Sequence, residues 1–268
     1  MSIMSTVDIN GLRVNYEREG SGPVIVFLHG HGGNLTLFNG LTAWLKRDYT
    51  VLRYDQRGYG RTEKPLHPPY STQLWADDLH RLLIRLEIEE AVVGGHSMSG
   101  RICVTFAADH PEMVKGLMTF NTTWFGANPE AASSLERGAE RIEEVGMDSV
   151  FRTSRSLNSI PEDRRKVRNT VEEMLLKNDP KSYALGSRAV ALDFKGVSRE
   201  GLLSSVECPT QIIIGDRDSA PLEGALRMLR GIKLSRLAVI PGSGHYCILE
   251  KPEFIEIVLA DFLRVLGH

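Results

Sequence analysis

Cysteine is scarce. Cys103, Cys208 and Cys247 are the only three in 268 residues, and none stands in a CxxC pair. That excludes a disulfide scaffold and speaks against structural zinc and thioredoxin-type redox chemistry. An excess of one charge is also missing. With 32 Lys+Arg against 34 Asp+Glu the formal net charge is −2, so no strong pull toward nucleic acid or an anionic membrane exists. Long hydrophobic runs are absent too. The longest, Val24 to Leu28, falls far short of the ~20 residues that cross a bilayer. Met1 to Thr6 has neither a basic n-region nor an apolar h-region, so a soluble, cytoplasmic protein is expected. No internal repeat or low-complexity tract occurs. The 42% apolar and 25% charged residues are the balance of a globular chain and exclude disordered and collagen-like classes.

What is present is a rhythm of short strands and helices. Leu12 to Tyr16 alternates apolar and polar residues, as a half-exposed strand does. Val24 to Leu28 is continuously apolar, as a strand covered on both faces should be. Tyr49 to Tyr54, Ala91 to Gly95, Val114 to Phe120, Gln211 to Ile214 and Leu237 to Ile240 predict further strands. Leu35 to Leu45, Leu74 to Leu86, Met98 to Asp109 and Phe254 to Leu266 carry apolar residues at helical spacing. Such alternation predicts an α/β fold, an open, mostly parallel sheet with helices on both faces.

Residues 124–195 break the rhythm. Pro129 to Glu144, Met147 to Arg155, Pro161 to Lys177 and Pro180 to Leu192 read as four helices, with Pro161 and Pro180 near helix starts, where proline is tolerated. The stretch is too long for a loop. The expected organisation is a core of residues 1–123 and 196–268 with a helical insertion, 124–195, over one end of the sheet.

The strongest chemical signal is Gly95-His96-Ser97-Met98-Ser99-Gly100, directly after one strand and directly before a helix. A nucleophilic serine on a sharp strand-to-helix turn needs small neighbours, because the backbone there is strained and crowded. Serine at a helix start can also be a simple N-cap; three further elements favour the nucleophile. A serine hydroxyl needs an adjacent base, and His245 lies on a loop after the strand at 237–240, at the same sheet edge as Ser97. The imidazole needs a carboxylate. Asp216 and Asp218 compete; Asp218 is preferred, because Asp216 follows the turn residue Gly215 directly and is suited to serve the turn itself. A tetrahedral oxyanion needs donors, each typically contributing ~2.7–4 kcal/mol. Leu28-His29-Gly30-His31-Gly32-Gly33 leaves its strand at that edge, and the backbone amides of His31 and Met98 are the expected pair.

These residues resemble α/β-hydrolase-fold serine hydrolases over nearly the whole chain. The matching segments are His29-Gly30, Asp55-Gln56-Arg57-Gly58-Tyr59-Gly60 for the family's D-x-R-G-x-G turn, Gly95 to Gly100 for its G-x-S-x-G elbow, Asp218, and Gly244-His245. Ser99 stands where the family has its last elbow glycine, with Gly100 next. The order Ser97, Asp218, His245, with gaps of 121 (218 − 97) and 27 (245 − 218) residues, is that family's order. The resemblance implies an acid at the fourth position of G-x-x-D, again Asp218. It also implies that the insertion is a cap roofing the pocket, and that Asp55 and Arg57 are structural.

Related haloalkane dehalogenases and epoxide hydrolases use an aspartate at the elbow, and Ser97 argues against both. Meta-cleavage C–C hydrolases carry asparagine before the serine and tryptophan after the histidine; His96 and Tyr246 stand there instead. The expected activity is hydrolysis of a carboxylic ester of a small or medium hydrophobic substrate. Lactonase and C–C hydrolase are alternatives, and ligand-sensing receptors on the same fold are a rival of a different class. Leu35, Phe38 and Trp124 are candidate pocket residues. No metal or organic cofactor is expected. Gly30-x-Gly32 lacks the third glycine of a dinucleotide loop, since Leu35 falls there. The pair His29 and His31 lacks a third metal ligand at useful spacing. Arg164-Arg165-Lys166 with Arg168 reads as a solvated helix face, so a small-molecule ester or lactone is the only partner expected.

Overall fold

The computed structural model describes residues 5–67, 69–122, 124, 128–148, 154–195, 200–219 and 222–267. Eight strands form one sheet: β1 (Ser5–Ile9), β2 (Leu12–Glu19), β3 (Val24–Leu28), β4 (Thr50–Tyr54), β5 (Ala91–His96), β6 (Val114–Phe120), β7 (Thr210–Gly215) and β8 (Ser235–Ile240). Their order is β1-β2-β4-β3-β5-β6-β7-β8. The β1–β2 and β2–β4 pairs are antiparallel and all others parallel. This is an α/β fold with a mostly parallel sheet.

Sequence reading found every strand except β1. The missing signal was Asn10-Gly11, whose φ values of 55° and 81° make the tight β1–β2 hairpin that an Asn-Gly pair favours.

Strand β3 shows why its sequence is apolar throughout. Ile25 and Phe27 belong to one apolar cluster, Val26 and Leu28 to the other. One face is covered by α2 (Thr72–Arg85), α3 (Met98–Asp109) and the helix Leu222–Gly231, the other by α1 (Asn39–Leu45) and the helix Pro252–Val265. Helix α9 spans Leu222–Gly231, and α10 (Cys247–Glu250) precedes α11 (Pro252–Val265). Ser71 caps α2 by accepting from Leu74 N at 3.1 Å, which satisfies one of the orphan donors of the first turn.

Between β6 and β7 the described residues form α4 (Pro129–Val145), α5 (Arg155–Asn158), α6 (Arg165–Leu176), α7 (Pro180–Phe194) and the short α8 (Glu200–Ser204). Pro129 and Pro180 each open a helix behind a side-chain cap, Asn128 and Asp179. Pro161 does not open one; α6 begins at Arg165. The helix expected from Met147 to Arg155 lies largely outside the described residues. Helices α4 and α7 pack together, tied by Arg188 to Glu143 at 2.6 Å. No helix among the described residues is long and apolar enough to cross a membrane.

Candidate active site

Strand β5 ends at His96 and α3 begins at Met98, leaving Ser97 alone in the turn at φ 54°, ψ −117°. A non-glycine residue there stores strain. The surroundings allow nothing larger. A Cβ on Gly95 would lie 2.2 Å from the Ser99 carbonyl oxygen, and one on Gly100 would lie 2.0 Å from Thr122 Oγ1. Hydrogen bonds hold the turn: Ser97 N donates to Phe120 O at 2.8 Å, and Thr122 Oγ1 donates to Ser97 O at 2.8 Å. Ser99, fully buried, donates its hydroxyl to His29 O and accepts from Gln56 Nε2 at 2.9 Å. Its side chain thus ties the serine helix to the end of β3.

Two side chains from two other loops converge on this turn. His245 Nε2 lies 2.9 Å from Ser97 Oγ, and His245 Nδ1 lies 2.9 Å from Asp218 Oδ1. The Asp218 side chain has no exposed surface and the His245 side chain is 13% exposed. Asp216 turns elsewhere. It accepts from Ser243 N at 3.1 Å, and bonds from the Gly242 and Ser243 backbone hold its carboxyl below the usual carboxylate range.

The site also holds residues that sequence reading passed over. Asn121, at φ 53°, donates through Nδ2 to Asp218 Oδ2 at 2.7 Å and to Gly244 O at 3.0 Å. It stands just past β6 at the sheet edge where ligands gather, a signal the chain did offer. Glu250 accepts from Gly244 N at 3.1 Å and Tyr246 N at 3.2 Å, bracketing His245. Arg164 pairs with Glu250 at 3.2 Å and so turns inward rather than lying on a solvated face; no local signal marks that pairing. His96 lies with its Nε2 2.8 Å from His245 O and its ring 5.3 Å from that of Tyr246. Burial pushes its pKa down to about 3, so the ring is neutral at ordinary pH and Nε2 donates to that carbonyl.

The loop after β3 lies against Ser97: a Cβ on Gly30 would sit 3.1 Å from Ser97 Cβ. Met98 is the first residue of α3, so its N–H has no intrahelical acceptor. His29 is buried, and its Nε2 accepts from Gln56 N at 3.0 Å; the neutral ring therefore carries its proton on Nδ1, 2.8 Å from Gly30 O. His31 is engaged on both nitrogens, Nδ1 with Tyr59 OH at 2.7 Å and Nε2 with Ser187 Oγ at 2.9 Å. Asp55 organises the base of the loop, accepting from Leu35 N, Arg61 N and Asn15 Nδ2, each at 2.8 Å.

The pocket expectations fare unequally. Leu35 is buried and belongs to neither apolar cluster. Phe38 is committed to the core, stacked on Phe27 at 4.5 Å and 5.9 Å from Phe120; its ring fills the sheet face rather than a pocket floor. Trp124 is buried in the cluster on the α2–α3 side. A surface cleft of about 400 Å³ is lined by residues 162–167 and Glu250. Its charged walls include neither Ser97 nor His245, so it is not where an apolar group meets the serine.

Residues 23–252 match the family model described as alpha/beta hydrolase fold. The chain belongs to the alpha/beta hydrolase family. Among relatives, the 2-(acetamidomethylene)succinate hydrolase of Mesorhizobium japonicum is 27% identical, across 97% of this chain and 95% of that protein. Among solved structures, a thermophilic esterase from Thermogutta terrifontis superposes with a TM-score of 0.89 at 24% identity, covering 100% of both chains. The enol-lactonase from Burkholderia xenovorans gives a TM-score of 0.85 at 23% identity, covering 97% of this chain and 100% of that one. This alpha/beta hydrolase thus shares its fold with hydrolases of several named substrates.

Proposed function

We propose that this hydrolase cleaves the carboxylic ester of a small or medium hydrophobic substrate through an acyl-enzyme on Ser97. The observation that carries the reading is the continuous line from Ser97 Oγ to His245 to the buried Asp218, each step 2.9 Å. Ser97 attacks the ester carbonyl while His245 Nε2 takes the hydroxyl proton. Asp218 stays ionised, fixes the tautomer through Nδ1–H and stabilises the imidazolium. The amides of His31 and Met98 receive the oxyanion. His245 then protonates the departing alcohol, and water clears the acyl group by the same roles in reverse. No metal or organic cofactor enters these steps. The inserted helices, residues 124–195, roof the pocket above a core of residues 1–123 and 196–268, with Leu35 on its floor and Trp124 at the cap entrance.

The strained Ser97 backbone supports the same reading, since an N-cap role needs no such conformation and the Ser97 side chain makes no cap bond within α3. The experiment is a kinetic panel of p-nitrophenyl esters and simple lactones with a Ser97→Ala control. Loss of triad function lowers kcat by roughly four to six orders of magnitude, with the fold intact by circular dichroism. Near-full activity in S97A refutes the assignment. Preference for lactones over open esters changes the substrate class and leaves the machinery standing, because a lactone is a cyclic ester. Very slow product release, with a ligand-dependent loss of thermal stability, would favour the receptor reading.

A further inference from the structure

The segment His31-Gly32 is gripped by the inserted helices more than by the sheet that carries it. Ser187 of α7 meets the His31 ring at Nε2 at 2.9 Å. Tyr183, one turn earlier on α7, lies with its ring centroid 4.1 Å from that of His31. Asn178, just past α6, donates from Nδ2 to Gly32 O at 2.7 Å. Gly32 itself sits at φ +74°, and a Cβ there would lie 2.7 Å from both Leu175 and Tyr183, so the helices pack onto bare backbone. From the core side, Tyr59 OH meets the other His31 nitrogen at 2.7 Å and Gly33 N closes the turn onto Gly30 O at 3.0 Å.

We propose that Ser187 and Asn178 are positioning residues for the His31 backbone amide, so that a competent oxyanion site forms only with the inserted helices seated on this loop. The inference rests on the reading above, in which that amide receives the oxyanion. The physical reason is leverage. A glycine-flanked loop has little intrinsic stiffness. A neutral imidazole held between two hydroxyls has one donor and one acceptor, both used, which fixes the ring and the residue bearing it. Removing one oxyanion donor outright costs roughly 10²–10³ in kcat, so a displaced donor loses part of that.

The test compares Ser187→Ala, Ser187→Thr and Asn178→Ala with the wild-type enzyme, using p-nitrophenyl acetate and an aryl trifluoromethyl ketone. The ketone adds the serine oxygen and places an oxyanion in the hole. The corresponding methyl ketone, which stays trigonal, reports ground-state binding. S187A and N178A are expected to lower kcat roughly 5- to 20-fold with KM within twofold. The trifluoromethyl ketone inhibition constant should rise by the same factor while that of the methyl ketone stays put, and S187T should restore most of both. A purely structural role predicts instead a lower Tm and a raised KM, with both ketones weakened alike. Wild-type kcat and ketone affinity in either folded variant overturn the proposal. A Ser97→Ala control labelled with a fluorophosphonate separates the two levels. Retained activity and labelling in S97A remove the underlying mechanism. A silent S97A beside a fully active S187A removes only the positioning role.

Discussion

Replacing Ser99 with glycine restores the family's G-x-S-x-G pattern and should weaken this protein. Ser99 has no exposed surface; its hydroxyl donates to His29 O and accepts from Gln56 Nε2 at 2.9 Å. Removing it deletes two buried hydrogen bonds at a net cost of roughly 0.5–1.5 kcal/mol each, or about 1–3 kcal/mol together. Glycine in place of serine within α3 adds about 0.5 kcal/mol. The total is roughly 1.5–3.5 kcal/mol, and at ~2–4 °C per kcal/mol Tm should fall by roughly 3–14 °C. Ser99→Ala loses the same bonds and keeps a good helix former, so it should lie about 1 kcal/mol above S99G. Calorimetry on the three proteins at one pH measures both differences. An S99G protein as stable as the wild type would falsify the claim that this hydroxyl joins the serine helix to the end of β3. Such a result would mean instead that the position needs only smallness.

Asn121→Ala takes a charge-assisted donor from Asp218, a bond of the class worth ~1.5–3 kcal/mol; if that bond holds Asp218 for the reaction, kcat/KM should fall roughly tenfold or more, and a change under twofold contradicts it. Asn121→Asp should be worse, because it sets a second negative charge against Asp218. Arg57 and Asp78 form a bidentate buried pair at 2.6 and 2.7 Å. Asp78→Ala strands the guanidinium and should cost about 3–5 kcal/mol, whereas an Arg57→Met, Asp78→Leu double variant should recover most of it; equal losses in urea unfolding count against this account. Burial pushes both His31 and His96 down to about 3, while each takes a proton near pH 6.5 once unfolded. The unfolded state therefore binds more protons between about pH 6.5 and 3. Stability should fall as pH drops through that window, by ~1.4 kcal/mol per pH unit for each histidine. His96→Asn should remove one of these increments from the slope of urea stability against pH, and an unchanged slope speaks against a neutral buried His96.

The sequence alone carried the fold class, because burial on both faces writes itself as unbroken apolar strands such as Val24–Leu28, and amphipathic helices write a 3.6-residue period. It carried the strained turn at Ser97 for a related reason: the crowded backbone there leaves room only for small residues at 95, 99 and 100, so Gly95, Ser99 and Gly100 are a local mark of a local constraint. It also named His245 and Asp218, whose positions follow from sheet-edge loops. What it could not carry were contacts between side chains far apart in the chain. Asn121 on Asp218, Arg164 on Glu250, and Ser187 on His31 span 97, 86 and 156 residues. A polar side chain looks the same in sequence whether it faces water or completes a buried bond. Phe38 shows the same limit, since its place in a stack with Phe27 depends on how α1 and β3 meet. Periodicity records which residues leave water; only the packed chain decides which partners they find.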